Sequence, residues 1–282
     1  MSKIVIVTDS TVYLPKEITE QYGIVVAPQV LIWGDESFQD GIDIQPDEFY
    51  SRLKTATVMP TTSQATIPAF QKIFREYLDK EYEILAILIS AKLSGTIDSA
   101  LQARDLLPKG PIEIVDSQAT SMAMGFHILT VARAAQQGAN LAECKALAEK
   151  AREYTGVIFA VDTLEFLHRG GRIGGGSRFL GTALNIKPIL ELKAGRVEAV
   201  ERVRTRNKSL HRLVEMIAER TAGKQPVRLA ALHANAASEA KMMLEQACQQ
   251  LNPVEAYLTQ VSPVVGTHAG PGTVGMAFMA GM

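Results

Sequence analysis

Short uncharged apolar runs alternate with stretches whose apolar residues recur every three to four positions, almost from one end of the chain to the other. That alternation predicts an α/β fold, with strands in the runs and amphipathic helices between them. Residues 3–8 read as a strand, 15–22 as a short helix and 24–33 as a second extended run. Pro46 and Pro68 stand where the first turn of a helix tolerates proline, which predicts helices over 46–54 and 68–79. A strand over 83–89, a helix over 96–107 and a strand over 112–115 follow. Helices over 119–137 and 141–154 come next, separated by the breaker Gly138-Ala139-Asn140. The alternation restarts with a strand over 157–161 and passes through a glycine-dense segment, 168–181. Strands over 187–192 and 197–202 are joined by Lys193-Ala194-Gly195, a hairpin turn by composition. A helix over 209–222, a strand over 227–232, a helix over 238–251 and a strand over 256–261 continue the pattern, and 273–280 reads as a last strand.

At 282 residues the chain exceeds a typical single domain. The restart after Tyr154 divides it into two α/β domains, 1–154 and 155–282. Hydrophobic residues make up 47% and charged residues 21%, a globular balance with ample core. A net charge of −1 leaves no electrostatic footprint for nucleic acid. Cys144 and Cys248 stand alone in helical patterns, with neither metal-ligand nor disulfide-framework spacing, and read as small hydrophobes. The opening residues run straight into a strand without a signal-peptide pattern, and no apolar run reaches the roughly 20 residues of a membrane helix. A cytoplasmic protein is the expectation.

Candidate chemistry sits in four polar segments. The uncharged run ending at Ile89 gives way to Lys92-Leu93-Ser94-Gly95-Thr96, which opens a helix. Such a turn makes an anion site, because the first helical N–H groups lack partners and carry the positive end of the dipole. Its plainer reading is Ser94 as a helix cap. Pro60-Thr61-Thr62-Ser63-Gln64-Ala65-Thr66 crowds hydroxyl and amide groups before a helix, or is a solvated loop capped by Thr66. Leu167 to Gly176 interleaves glycines with Arg169, Arg172 and Ile173, so that backbone can approach a ligand and arginine can neutralise an anion. Gly266 to Thr273 holds His268 in a loop of glycine and hydroxyl residues, whereas His127, His211 and His233 fall in regular elements and read as structural.

Gly270 to Gly275 has a formal G-x-G-x-x-G spacing, but no helix and acidic strand end follow it, so a dinucleotide site is rejected. Neither a Walker A segment, a G-x-S-x-G elbow nor an H-E-x-x-H pair occurs, and no cofactor or metal is expected. Ser94 with His268 as base would make an acyl hydrolase or transferase, given an acidic orienting group and an oxyanion hole. A phosphate- or nucleotide-ligand enzyme is a third reading of the loops. Several neutral donors and one histidine suit the holding of an anion better than attack on a carbonyl. Arg202, Arg204 and Arg206 would share one face if a strand continued through them, and are candidates for docking a partner or an anionic membrane surface.

The same segments, in this order, resemble the DegV family, and within it the fatty-acid-binding subunits of bacterial fatty acid kinase. The resemblance rests on Val7-Thr8-Asp9-Ser10, Thr62-Ser63-Gln64, Lys92 to Thr96, Leu167 to Ile173, Lys187-Pro188-Ile189-Leu190 and His268-Ala269-Gly270-Pro271-Gly272. One departure is Ala65-Thr66, where the family pattern has Pro-Ser. The resemblance implies two α/β domains with a ligand site at their interface, an acyl-chain tunnel assigned to the second domain, and a long-chain fatty acid as ligand. It implies a non-enzymatic carrier that presents the carboxylate to a separate ATP-dependent kinase for acyl-phosphate formation and phospholipid synthesis. Carried over by position, Ser94 and either Thr61 or Thr62 contact the carboxylate, with Ser63, Gly95 and Thr96 beside them. His268 and Arg169 complete the polar network, and Arg204 matches a surface arginine used in docking.

Overall fold

The computed structural model describes residues 3–179 and 186–282. Leu180 and Gly181, the end of the glycine-dense segment, lie outside the described residues. In chain order the first part comprises β1 (Lys3–Asp9), α1 (Lys16–Tyr22), β2 (Val25–Ala27), β3 (Val30–Trp33), β4 (Glu36–Gln39), α2 (Pro46–Leu53) and β5 (Thr61–Ser63). It continues with α3 (Ile67–Asp79), β6 (Tyr82–Leu88), α4 (Thr96–Asp105), β7 (Ile112–Asp116), α5 (Ser121–Gln136) and α6 (Leu141–Ala151). Then come β8 (Thr155–Ala160), α7 (Glu165–Arg169), β9 (Lys187–Lys193), β10 (Arg196–Val203), α8 (Arg206–Thr221) and β11 (Val227–His233). The chain closes with α9 (Ala237–Leu251), β12 (Glu255–Gln260), α10 (Pro263–Ala269) and β13 (Val274–Ala280).

Three sheets result. A four-stranded parallel sheet has the order β2-β1-β6-β7, a mixed six-stranded sheet has β10-β9-β8-β13-β11-β12, and β4-β3-β5 form a small antiparallel sheet. β6 is uncharged from Ile84 to Leu88 because both of its faces are covered, as parallel strands require. Leu85 and Ile87 join the core beneath α5 and α6, while Ile84, Ala86 and Leu88 join the core beneath α3 and α4. β13 alternates in the same way: Ala277 and Met279 face the α5 side, Val274 and Met276 face α8 and α9. Helix α5 therefore lies between the two large sheets, which is why Ser121 through Leu129 are all buried and its pattern is apolar nearly all round.

The predicted α/β alternation holds, with local differences that include two elements not predicted, β4 and α7. The run over 24–33 is two strands in different sheets, broken at Pro28-Gln29. The polar Thr61–Ser63 stretch is itself an edge strand, paired with β3 through Leu31 and Thr62, and Thr66 caps α3 by accepting from Ala69 N at 3.3 Å. The segment expected as a loop around His268 is helix α10, with Pro263 in its first turn and Ser262 Oγ accepting from Val265 N at 3.2 Å. The shared face of Arg202, Arg204 and Arg206 does not form. β10 ends at Val203, and Thr205 starts α8 by accepting from Lys208 N at 3.3 Å. The hairpin turn is as expected: Ala194 and Gly195 both take positive φ, 47° and 79°, the geometry that matches strand twist.

Candidate ligand site

A cavity of about 930 Å³, its open mouth included, lies where the loops after β1, β6 and β7 meet the second sheet and α10. That is within the range of ordinary ligand pockets. Its walls come from both sides of residue 154: Ile89 and Leu93 from the first part, Phe159, Leu167, Leu192 and Val197 from the second. Leu192 and Val197 face each other across the β9–β10 pair, and the tip of that hairpin docks on the loop after β6. There Ser90 Oγ donates to Gly195 O at 2.8 Å and Lys92 Nζ to Ala194 O at 2.8 Å.

The polar lining includes Ser94, Thr62, His268 and Arg172. Ser94 follows a tight turn in which Ser94 N donates to Ser90 O at 3.1 Å. Gly95, not Ser94, occupies the cap position of α4, and no side chain caps that end. Ser94 Oγ instead meets Thr96 Oγ1 at 2.9 Å and lines the cavity. Thr96 is fully buried and accepts from Gln29 Nε2 at 3.2 Å, so it supports Ser94 from behind. Gly95 lies under the Gln64 side chain, where a Cβ would stand 3.2 Å from Nε2. Thr62 and Ser63 line the same cavity; Thr61 is exposed and borders only an outer recess of about 680 Å³. Between Thr61 and Thr62, the structure puts Thr62 at the cavity.

His268 stands in the last turn of α10, its Nε2 2.7 Å from Thr62 Oγ1. Burial first, and the Arg172 guanidinium second, push its imidazole down to about 4, so the ring is neutral at pH 7. Its Nδ1 is buried with no hydrogen-bond partner among the described residues.

The cation at this site is Arg172. Helix α7 ends in a Schellman arrangement: Gly171 N donates to His168 O at 3.1 Å and Arg172 N to Leu167 O at 2.9 Å, with Gly171 at φ 70°. That turn aims Arg172 inward. Its Nε donates to Leu93 O at 3.0 Å and its Nη1 to Gly170 O at 2.6 Å, and it lines both cavity and recess. Arg169 instead pairs with Glu165 at 2.5 Å on the exposed side and reaches only the recess. The sequence marked both arginines, but nothing in it showed which one the helix end would turn inward.

The docking candidates are dispersed. Arg202 lies over the Phe179 ring at 5.0 Å, and Arg204 is exposed. Arg206 is tied to Glu239 at 2.5 Å and to Asp162 at 3.5 Å. Among the described residues, no cluster of three His, Cys, Asp or Glu side chains could hold a metal ion, and no helix is long and apolar enough to cross a membrane.

A family model described as uncharacterised protein, DegV family, matches residues 3–281. The chain belongs to the DegV family. A DegV domain-containing protein of Streptomyces coelicolor is 36% identical over 275 residues, 97% of each chain. A DegV family protein from Thermus thermophilus, whose structure was reported for fatty acid binding, superposes with a TM-score of 0.93 at 34% identity, covering 99% of both chains. DegV of Bacillus subtilis, solved as a fatty acid binding protein, gives 0.91 at 32% identity over 99% of this chain and all of that one. The mixed α/β architecture is thus shared with these DegV proteins along nearly the whole chain.

Proposed function

We propose that this chain binds a long-chain fatty acid and presents its carboxylate to a separate ATP-dependent kinase, acting as a carrier and not as an enzyme. The observation that carries the reading is one amphipathic cavity. Apolar walls lead to Ser94, Thr62, His268 and Arg172, which together offer hydroxyl donors, a neutral imidazole and a guanidinium that pairs with no carboxylate among the described residues. The fatty-acid-binding relatives of the same fold support it.

Burying about 14 methylenes at about 0.8 kcal/mol each gives on the order of 11 kcal/mol before association costs. The tail therefore supplies affinity and the head site fixes orientation. A carboxylate taken out of water needs donors and a nearby cation, or it protonates. Arg172 supplies the charge, and Ser94 and Thr62 supply hydroxyls. In the transfer step a carboxylate oxygen bonds the γ-phosphorus of ATP and ADP leaves; all of that chemistry belongs to the partner.

The hydrolase alternative fares worse. His268 Nε2 faces Thr62 and not Ser94, and among the described residues no carboxylate orients Nδ1. Extraction of purified protein with mass spectrometry, followed by kinase reconstitution, tests the proposal. A copurifying fatty acid that becomes an acyl phosphate supports it; an acylated Ser94 or a bound nucleotide overturns it.

A further inference from the structure

Gly170 is a glycine for no backbone reason. Its φ and ψ are −75° and −6°, a conformation open to any residue, whereas its neighbour Gly171 alone takes the left-handed turn that ends α7. What its position excludes is a side chain: a Cβ built there would overlap His268 Nδ1 and stand 2.9 Å from Cε1. The Nδ1 edge of the imidazole lies against this bare backbone, with Nε2 on Thr62 and Nδ1 without a hydrogen-bond partner among the described residues. The carbonyl of the same residue receives Arg172 Nη1, and Arg172 Nε continues to Leu93 O, next to Ser94. Thr62, His268, Gly170, Arg172 and Leu93 thus form a chain of contacts across the mouth of the cavity.

We infer that Gly170 is the positioning residue of the head site: its missing side chain seats the His268 ring on Thr62, and this seating sets the preference for a carboxylate head over an uncharged one. The inference rests on the fatty-acid reading above and adds to it the residue that determines head-group selectivity. A methyl group at position 170 pushes the ring off Thr62 while leaving the apolar walls at Leu167, Leu192 and Val197 in place. Loss of selectivity without loss of tail binding is its signature.

The test is displacement of a fluorescent fatty acid from delipidated protein by hexadecanoate and by hexadecan-1-ol, which share a tail length. Gly170→Ala is expected to weaken the acid about tenfold and the alcohol less than about twofold. In the imidazole 1H–15N spectrum, the His268 Nε2 resonance is expected to move away from its hydrogen-bonded position. With the ring gone, the glycine no longer matters, so Gly170→Ala combined with His268→Ala should bind hexadecanoate within about twofold of His268→Ala alone. Retained acid preference in Gly170→Ala, equal losses for acid and alcohol, an unmoved Nε2 resonance, or a further loss in the double variant would each overturn the inference. Should Gly170→Ala fail to fold, the double variant must fold and melt with His268→Ala; if it does not, the steric relation to His268 is wrong. If the unsubstituted protein binds neither lipid, the fatty-acid reading falls, and the Nε2 resonance of Gly170→Ala still decides whether Gly170 seats the ring.

Discussion

Two polar networks sit side by side where β1 and β6 end, and they are completed to different degrees. Asp9, fully buried, has every oxygen engaged. Its Oδ1 accepts from Thr11 N at 3.1 Å, Thr11 Oγ1 at 2.6 Å and Gln29 Nε2 at 3.2 Å, and its Oδ2 from Ile89 N at 2.7 Å. The head site a few residues away is left open: among the described residues His268 Nδ1 has no partner, and Arg172 donates to the backbone carbonyls of Leu93 and Gly170. Buried polar groups are normally paired, so an unpaired imidazole nitrogen and a guanidinium without a carboxylate at the wall of a cavity leave room for a ligand's atoms, whereas the Asp9 carboxylate is held as scaffold. Gln29 joins the two, touching Asp9 on one side and Thr96, the support of Ser94, on the other.

The largest effect expected from this contrast is at the closed network. Asp9→Ala removes the acceptor of four buried donors, of which Gln29 Nε2 alone keeps a second acceptor in Thr96, and at about 1–3 kcal/mol for each unsatisfied group a loss of about 3–5 kcal/mol in stability is expected. Urea denaturation measures it. An equal loss in His268→Ala would erase the distinction between scaffold and site.

The second effect is a pH dependence centred on Asp40, beside the closed network. Its Oδ2 accepts from Ser10 Oγ at 2.7 Å, and Ser10 Oγ accepts from Gln29 N at 3.1 Å. Burial is the main cause that raises the Asp40 carboxyl to about 7; the hydrogen bond from Ser10 opposes it, and nearby Asp9 adds to it. A carboxyl raised in the folded state contributes stability that is complete below its unfolded value near 4 and is lost as pH rises through 7. The loss is on the order of 4 kcal/mol. His127, pushed down to about 3, and His268, to about 4, have the opposite slope, with stability present above about 6.5 and lost as pH falls. The Asp40 contribution is therefore read as a difference. Urea midpoints of the unsubstituted protein and of Asp40→Asn should diverge progressively between pH 4 and 7, and parallel curves would remove Asp40 from the account.

The sequence made most of the scaffold legible because burial on two faces leaves an uncharged run, as at Ile84–Leu88, and prolines at 46 and 68 mark helix starts. Three features were hidden for physical reasons. Thr61–Ser63 is polar because its strand edges a small sheet beside a cavity, so it looks like a loop. Helix α10 contains Gly266, whose Cβ would meet the Tyr50 hydroxyl region, so close packing and not flexibility explains that glycine. Arg172 and Arg169 are indistinguishable by residue type; the turn at Gly171 separates them. Ser94 and His268 were visible because hydroxyl and imidazole groups sit at element ends, but their actual partners, Thr96 and Thr62, required the fold.

At the open network the effects are smaller and fall on ligand, not on stability. A hydrogen bond to a charged group contributes about 1.5–3 kcal/mol, so Ser94→Ala should weaken acyl-phosphate formation at subsaturating fatty acid roughly 10- to 100-fold while leaving the urea midpoint nearly unchanged. His268→Ala should impair phosphorylation more than binding, because tail burial dominates affinity. Titration calorimetry alongside kinase assays separates the two, and equal losses would contradict the orienting role of His268.

The smallest effect lies outside both networks, at Arg204. The strand stops at Val203, Arg206 is held by Glu239 and Asp162, and Arg202 lies on the Phe179 ring, while Arg204 is exposed to solvent. Such a rim charge acts on encounter and not on the buried ligand. Arg204→Ala is expected to keep its fatty acid and fold normally, while transfer to the kinase or to anionic vesicles slows about two- to fivefold. The deficit should shrink as salt rises, because the contribution of a rim charge is screened over about 8–10 Å at physiological ionic strength. Unchanged coupling and vesicle exchange at every salt concentration would return Arg204 to ordinary surface charge and confine the functional asymmetry of the molecule to the cavity mouth.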